Sequence, residues 1–179
     1  FESEYSENYA PANAAMIFAS VYNYTREEKH LNNCYDMIRR SIKLLNQRQS
    51  VSPFCRVFLL HYSLMAILYL PEKERLNAKK EFGRFYGNYE DDCLQLNTNC
   101  AALQWGNEVF LSVLDYKKIN KDKTKHLLNF IKNGQNDLGF INDSISNDGI
   151  PADGMPIAYH TFIMKNLTPS AFNISICTF

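Results

Sequence analysis

Ser52-Pro53-Phe-Cys-Arg-Val-Phe-Leu-Leu-His61-Tyr-Ser-Leu-Met-Ala-Ile-Leu-Tyr-Leu70-Pro71 is the stretch that decides the fold. Ser before Pro is a helix start, because the serine hydroxyl can cap the first turn and proline has no N–H to waste there. Pro71 then stops the helix. Between them the residues are apolar nearly all round, as in a helix covered on most sides by other elements. At about 1.5 Å rise per residue the run barely approaches bilayer thickness, and Arg56, His61 and Ser63 interrupt it. A buried helix is the reading, with no membrane insertion.

Working outward, the neighbours fall into helical hairpins. Ala10 to Tyr22 places Ala10, Ala14, Ile17 and Val21 on one face, with Pro11 in the first turn. Thr25-Arg-Glu-Glu28 reads as a capping box, followed by Leu31, Cys34, Tyr35, Ile38, Ile42 and Leu45 at helical spacing. After Pro71, Glu72 to Tyr86 keeps Leu76, Phe82 and Phe85 under a charged surface, an outer helix paired with the buried one. Gly87 to Leu96 breaks the rhythm, and Asn97 or Asn99 caps the next helix, on which Asn99, Leu103, Gly106 and Phe110 share a face. Asp122 to Lys132 completes a third hairpin. A long Asn-, Asp- and Gly-rich loop runs from Asn133 to Pro156, and loops of that length usually carry function. No strand-like alternation competes, so the expectation is all-α: one domain over residues 1–179, built as stacked αα-hairpins.

Composition narrows the function classes. The 179 residues are 46% hydrophobic, enough for a real core, and Lys plus Arg equals Asp plus Glu at 19 each. A balanced chain has no global field to draw nucleic acid. The five cysteines are scattered, with no paired zinc spacing, and read as reduced core residues. No twelve-residue calcium loop is present, and no cofactor or metal is expected. The chain opens on Phe1, which suggests a trimmed start and leaves the compartment unknown.

The chemical clue is Gly154-Met-Pro-Ile-Ala-Tyr159-His160, where two proton-moving side chains follow the polar loop. Together with Asn8-Tyr-Ala-Pro11, Tyr24-Thr25, Gln95-Leu-Asn97-Thr-Asn99 and Gln135-Asn-Asp-Leu-Gly-Phe140, it resembles the (α/α)-toroid proteins of the alginate-lyase and heparinase type. The resemblance implies a toroid, here partial or fragmentary because complete rings use about six or seven hairpins. It also implies action on an acidic polysaccharide by β-elimination, or a place in exopolysaccharide metabolism. In such lyases an amide or basic group neutralises the uronate carboxylate while a Tyr or His takes the C5 proton. Asn97 and Asn99 match the first role, Tyr159 the second, and His160 is the alternative base. Gln95, Tyr89, Trp105 and Asp153 are the candidate substrate contacts.

Plainer roles stand beside these. Asn is a favoured cap, a single Trp is commonly core, and a Tyr-His pair can simply begin a helix. Two other functions remain open: a non-catalytic helical-repeat module that binds glycan or protein, and a glycoside hydrolase using paired carboxylates from Glu90, Asp91, Asp92, Asp143, Asp148 and Asp153. His61 is expected to be a satisfied core histidine, and His30 and His126 solvated ones. Phe162, Ile163, Met164, Phe172, Ile174 and Ile176 are apolar enough to suggest a second subunit or a continuation of the chain.

Overall fold

The computed structural model describes residues 2–47, 49–90 and 97–135, with the side chains of residues 2–8 excepted. Across them the protein is all-helical: α1 (Glu2–Thr25), α2 (Glu28–Asn46), α3 (Pro53–Tyr69), α4 (Glu72–Asn88), α5 (Thr98–Val113) and α6 (Lys121–Asn133). The chain divides into two compact units. One comprises Phe1–Leu94 with Asn107–Ile119, and the other Gln95–Gly106 with Asn120–Phe179. The helix α5 contributes its second half to the first unit and its first half to the second.

In the first unit α3 is the buried member. Ser52 caps it by accepting from Cys55 N at 3.2 Å, Pro53 fills the first turn, and every residue from Cys55 to Leu60 is buried. Each large apolar side chain so enclosed contributes about 1.5–3 kcal/mol of burial free energy. Arg56 is buried too, its Nη1 donating to Val51 O at 3.1 Å. The helix α1 packs against both α2 and α3. Its inner face is Ala12, Ala15, Ala19 and Tyr22, while Ile17 is 58% exposed. The apolar face expected from Ala10, Ala14, Ile17 and Val21 is therefore rotated. Alanines let two neighbouring helices approach closely, and that close fit outweighs burying one isoleucine. Because α1 begins at Glu2, Pro11 lies inside it rather than in its first turn.

The expected capping box at Thr25–Glu28 is not formed. Arg26 adopts φ 59°, in the left-handed region, and its N–H closes α1 onto Tyr22 O at 2.8 Å. Thr25 Oγ1 turns back to donate to Val21 O, and Glu27 precedes α2 without a side-chain cap. The residues that were to open the second helix instead end the first.

On α4 the buried face is Glu74, Ala78, Phe82 and Tyr86, with Leu76 55% exposed. Tyr22 OH donates to Glu74 Oε1 at 3.1 Å, while Glu74 Oε2 is buried without a partner. Tyr35 OH donates to Glu74 O at 2.9 Å, so one residue of α4 receives bonds from both α1 and α2. Nearer the surface, Arg39 pairs with Asp36 at 2.6 Å and with Glu81 at 2.7 Å.

The second unit is organised around Ala101, Ala102, Leu127 and Ile131, with Trp105 and Phe130 packed against them. Asn120 caps α6 by accepting from Lys123 N at 3.0 Å, and Gly134 closes it onto Phe130 O and Ile131 O. Cys34, Cys55 and Cys100 are buried and form no disulfide; Cys93 and Cys177 lie outside the described residues. Among the described residues no helix is long and apolar enough to cross a membrane.

Candidate functional site on the first half of α5

The helix α5 opens on Asn97, whose Oδ1 accepts from Cys100 N at 2.7 Å. That bond satisfies one of the donors a helix start leaves over, so the Asn97 carbonyl is committed to capping. Asn99, one position into the helix, is different. It is 5% exposed, and its Oδ1 has no hydrogen-bond partner. The two ends of an amide have the same shape, so the unpartnered position can equally hold the NH₂ group. A buried amide with an unspent end costs roughly 1–3 kcal/mol unless something meets it.

Two further groups on this half-helix are in the same condition. Gln104 is 1% exposed with Nε2 unpartnered, and the Trp105 Nε1–H has no acceptor although its ring is packed on the core cluster. Native interiors leave few such atoms, and these three, at i, i+5 and i+6, project from different faces of α5, each leaving its own unmet polar demand. All are neutral. They can hold hydroxyl, carboxylate or amide groups but cannot themselves move a proton near neutral pH.

The sequence candidates fall as follows. Asn97, Asn99 and Trp105 share the first half of α5, in the second unit. Tyr89 belongs to the first unit, at the end of α4, where it is 6% exposed with its ring 5.4 Å from that of Phe85 and its carbonyl accepting from Lys117 Nζ. Gln95, Asp153, Tyr159 and His160 lie outside the described residues.

The structure adds a polar constellation that periodicity did not flag. Within the first unit, His61 is 1% exposed and its Nδ1 lies 3.0 Å from Asn107 Oδ1. Asn107 Nδ2 donates to Val57 O at 3.3 Å, which fixes the amide's orientation. His61 must therefore carry its proton on Nδ1. His61 is the satisfied core histidine the sequence suggested. Beside Asn107, Glu108 is 2% exposed with Lys117 Nζ at 3.5 Å. A signal existed: Gln104, Asn107 and Glu108 stand at i, i+3 and i+4 of an otherwise apolar helix, and so share a face. His126 is exposed as expected, whereas His30 is largely covered, stacked on Phe18 with Nδ1 buried and unpartnered.

No group of three or more His, Cys, Asp or Glu among the described residues is arranged to hold a metal ion. Compared with known protein families, curated proteins and solved structures, the chain matches none.

Proposed function

We propose that this protein is a carbohydrate-active domain of the (α/α)-toroid kind that acts on an acidic polysaccharide by β-elimination. The observation that carries the reading is Asn99, a buried amide with an unspent end at the start of an inner helix. Abstracting the C5 proton of a uronate builds enolate charge on its carboxylate, and a preorganised neutral donor aimed there lowers the barrier without reorganising. Asn99 takes that role; Asn97 supports it by fixing the helix start. Tyr159 takes the C5 proton as base, with His160 the alternative. The C5–H and C4–O bonds break, a C4–C5 double bond forms, and the proton passes to the departing 4-linked oxygen.

The test is incubation with a panel of uronate polymers, following absorbance of the unsaturated product. Asn99→Ala is expected to lower turnover by about 100-fold or more, the scale of losing one donor to a developing oxyanion. Asn97→Ser, which preserves capping, should leave turnover within a few-fold of wild type. New reducing ends without that absorbance would point instead to hydrolysis by loop carboxylates.

A second reading, a non-catalytic glycan-binding module, is favoured by Gln104 Nε2 and Trp105 Nε1, which are unspent donors suited to hydroxyls rather than to proton transfer. Tyr159→Phe separates the two readings. It should abolish turnover in a lyase and leave glycan binding intact in a scaffold.

A further inference from the structure

The helices α2 and α4 end beside one another in the first unit, and between their last turns lies an open pocket of about 460 Å³. That volume is within the usual range for small-molecule sites, about 300–1,000 Å³. Its floor is formed by the buried Leu45 and Tyr89 and the half-buried ring of Phe85. Its rim is polar: Asn46 at the end of α2, and Glu81, Arg84 and Asn88 on α4.

Among the described residues the rim groups are largely uncommitted. Arg39 brings both Nε and Nη2 onto the same oxygen, Glu81 Oε1, at 2.7 Å, which leaves Oε2 open. Arg84, Asn46 and Asn88 are exposed. None of the three side chains makes a hydrogen bond or ion pair to a described residue. The pocket thus offers one cationic donor, one carboxylate acceptor and two amides that both donate and accept, above a flat aromatic and aliphatic floor.

The chemistry narrows the ligand. A simple anion would meet one arginine but also the negative ends of two helix dipoles and the Glu81 carboxylate. A cation would meet Arg84. A purely apolar ligand would strip water from every rim group without replacing its hydrogen bonds. A hydroxyl-rich ring fits all the demands. Each hydroxyl both donates and accepts, so it can take Arg84 N–H and give to Glu81 Oε2, to an amide oxygen or to a last-turn helix carbonyl. The ring's apolar C–H face meanwhile lies on Phe85.

We infer that the pocket between the C-terminal turns of α2 and α4 binds a sugar ring through its neutral hydroxyl face. This goes beyond the elimination reading and stands without it, since binding here needs neither Asn99 nor Tyr159. A polymer-active protein gains from such a second foothold because two linked contacts multiply avidity.

The test is an NMR titration of the full chain with assigned Asn side-chain amides, using cellotetraose, a mannuronate tetrasaccharide and inorganic phosphate as probes. The expected result is that the Asn46 and Asn88 side-chain signals shift with cellotetraose at millimolar concentration. Arg84→Ala should weaken that binding about tenfold, the scale of losing a hydrogen bond to a charged group. Asn88→Ala, also at an exposed position, should weaken it several-fold while the backbone spectrum stays native. Shifts with phosphate alone would identify an anion site and overturn the inference. So would unmoved amides with either sugar, or cellotetraose shifts that survive both substitutions. Failure here leaves the uronate-polymer assay unaffected, and an inactive protein that still passes this test retains the sugar pocket.

Discussion

At the residue scale, His61 and Asn107 form a buried polar contact whose partners depend on each other. Both side chains are almost fully buried, and Asn107 spends each end of its amide, one on the imidazole and one on Val57 O. Removing one partner leaves a buried donor without an acceptor, which costs about 1–3 kcal/mol. Asn107→Ala is therefore expected to lower stability by at least that amount, once the lost packing is included. His61→Phe combined with Asn107→Leu should recover much of it, because two apolar groups of similar shape need no partner. Urea denaturation of the single and double variants checks this. A double variant no more stable than Asn107→Ala would show that the histidine does more than complete the core. The same logic explains why this pair was hard to read from sequence. His61 could be assigned to the core from its apolar surroundings, but nothing in the local pattern around Asn107 names a partner so distant in sequence. That either Asn97 or Asn99 caps α5 was legible for the opposite reason: a capping asparagine acts on a backbone N–H three residues away, and the structure gives the role to Asn97.

Helix existence and order follow from local chemistry at the element scale, and that part of the fold was readable. Pro53 and Pro71 bracket α3, and Asn120 and Gly134 bracket α6. Helix faces were less legible wherever a distant residue decides them. Leu76 looked like the buried residue of α4, yet Glu74 takes that place, where Tyr22 of α1 donates a hydrogen bond to it. On α1 the large isoleucine drew the reading, while the buried stripe consists of alanines that admit close neighbours. The glycines of α4 give a direct test of how well the element is packed. A Cβ at Gly83 would lie 3.5 Å from Tyr116 Cε1, an ordinary contact, whereas one at Gly87 would come within 3.1 Å of Tyr116 O. Gly83→Ala should stabilise the protein by about 0.5–1 kcal/mol, since helical glycine carries that penalty relative to alanine. Gly87→Ala should gain nothing, because a backbone carbonyl yields less easily than a side-chain tip. Thermal unfolding of the two variants separates them, and equal gains would mean that the turn after α5 is looser than described.

Considered as a whole molecule, the described part of this protein raises its buried phenols and one buried thiol, all in the first unit, while the exposed carboxyls of Glu27 and Asp115 are lowered by their lysine partners. Burial pushes the Cys34 thiol from 9.0 up to about 12, and burial, reinforced by Cys34 and Glu74, pushes Tyr35 from 10.0 up to about 12. Tyr86 and Tyr116 are raised by burial and by neighbouring phenols, with only Ser63 opposing at Tyr86. Burial also raises Tyr22, and its hydrogen bond to Glu74 adds to the effect. Each of these groups is neutral in the folded state and holds its proton more tightly there than in the unfolded chain. Their contribution to stability is thus fully present below the unfolded values. It falls as pH rises from 9.0 for Cys34, and from 10.0 for Tyr35, toward about 12. For Cys34 the loss is about 1.4 kcal/mol per pH unit across that window; for the half-exposed Tyr35 solvent screening makes it smaller. The expected outcome is a cooperative alkaline unfolding in which phenolate absorbance and loss of helical circular dichroism rise together. The measurement is a paired pH titration of both signals, with Cys34→Ala as a control that removes the earliest-titrating group. Full phenolate absorbance, from buried and exposed tyrosines alike, reached while the helix signal holds would mean that the buried tyrosines titrate in the folded state, and that burial in this unit does not govern the protein's stability in alkali.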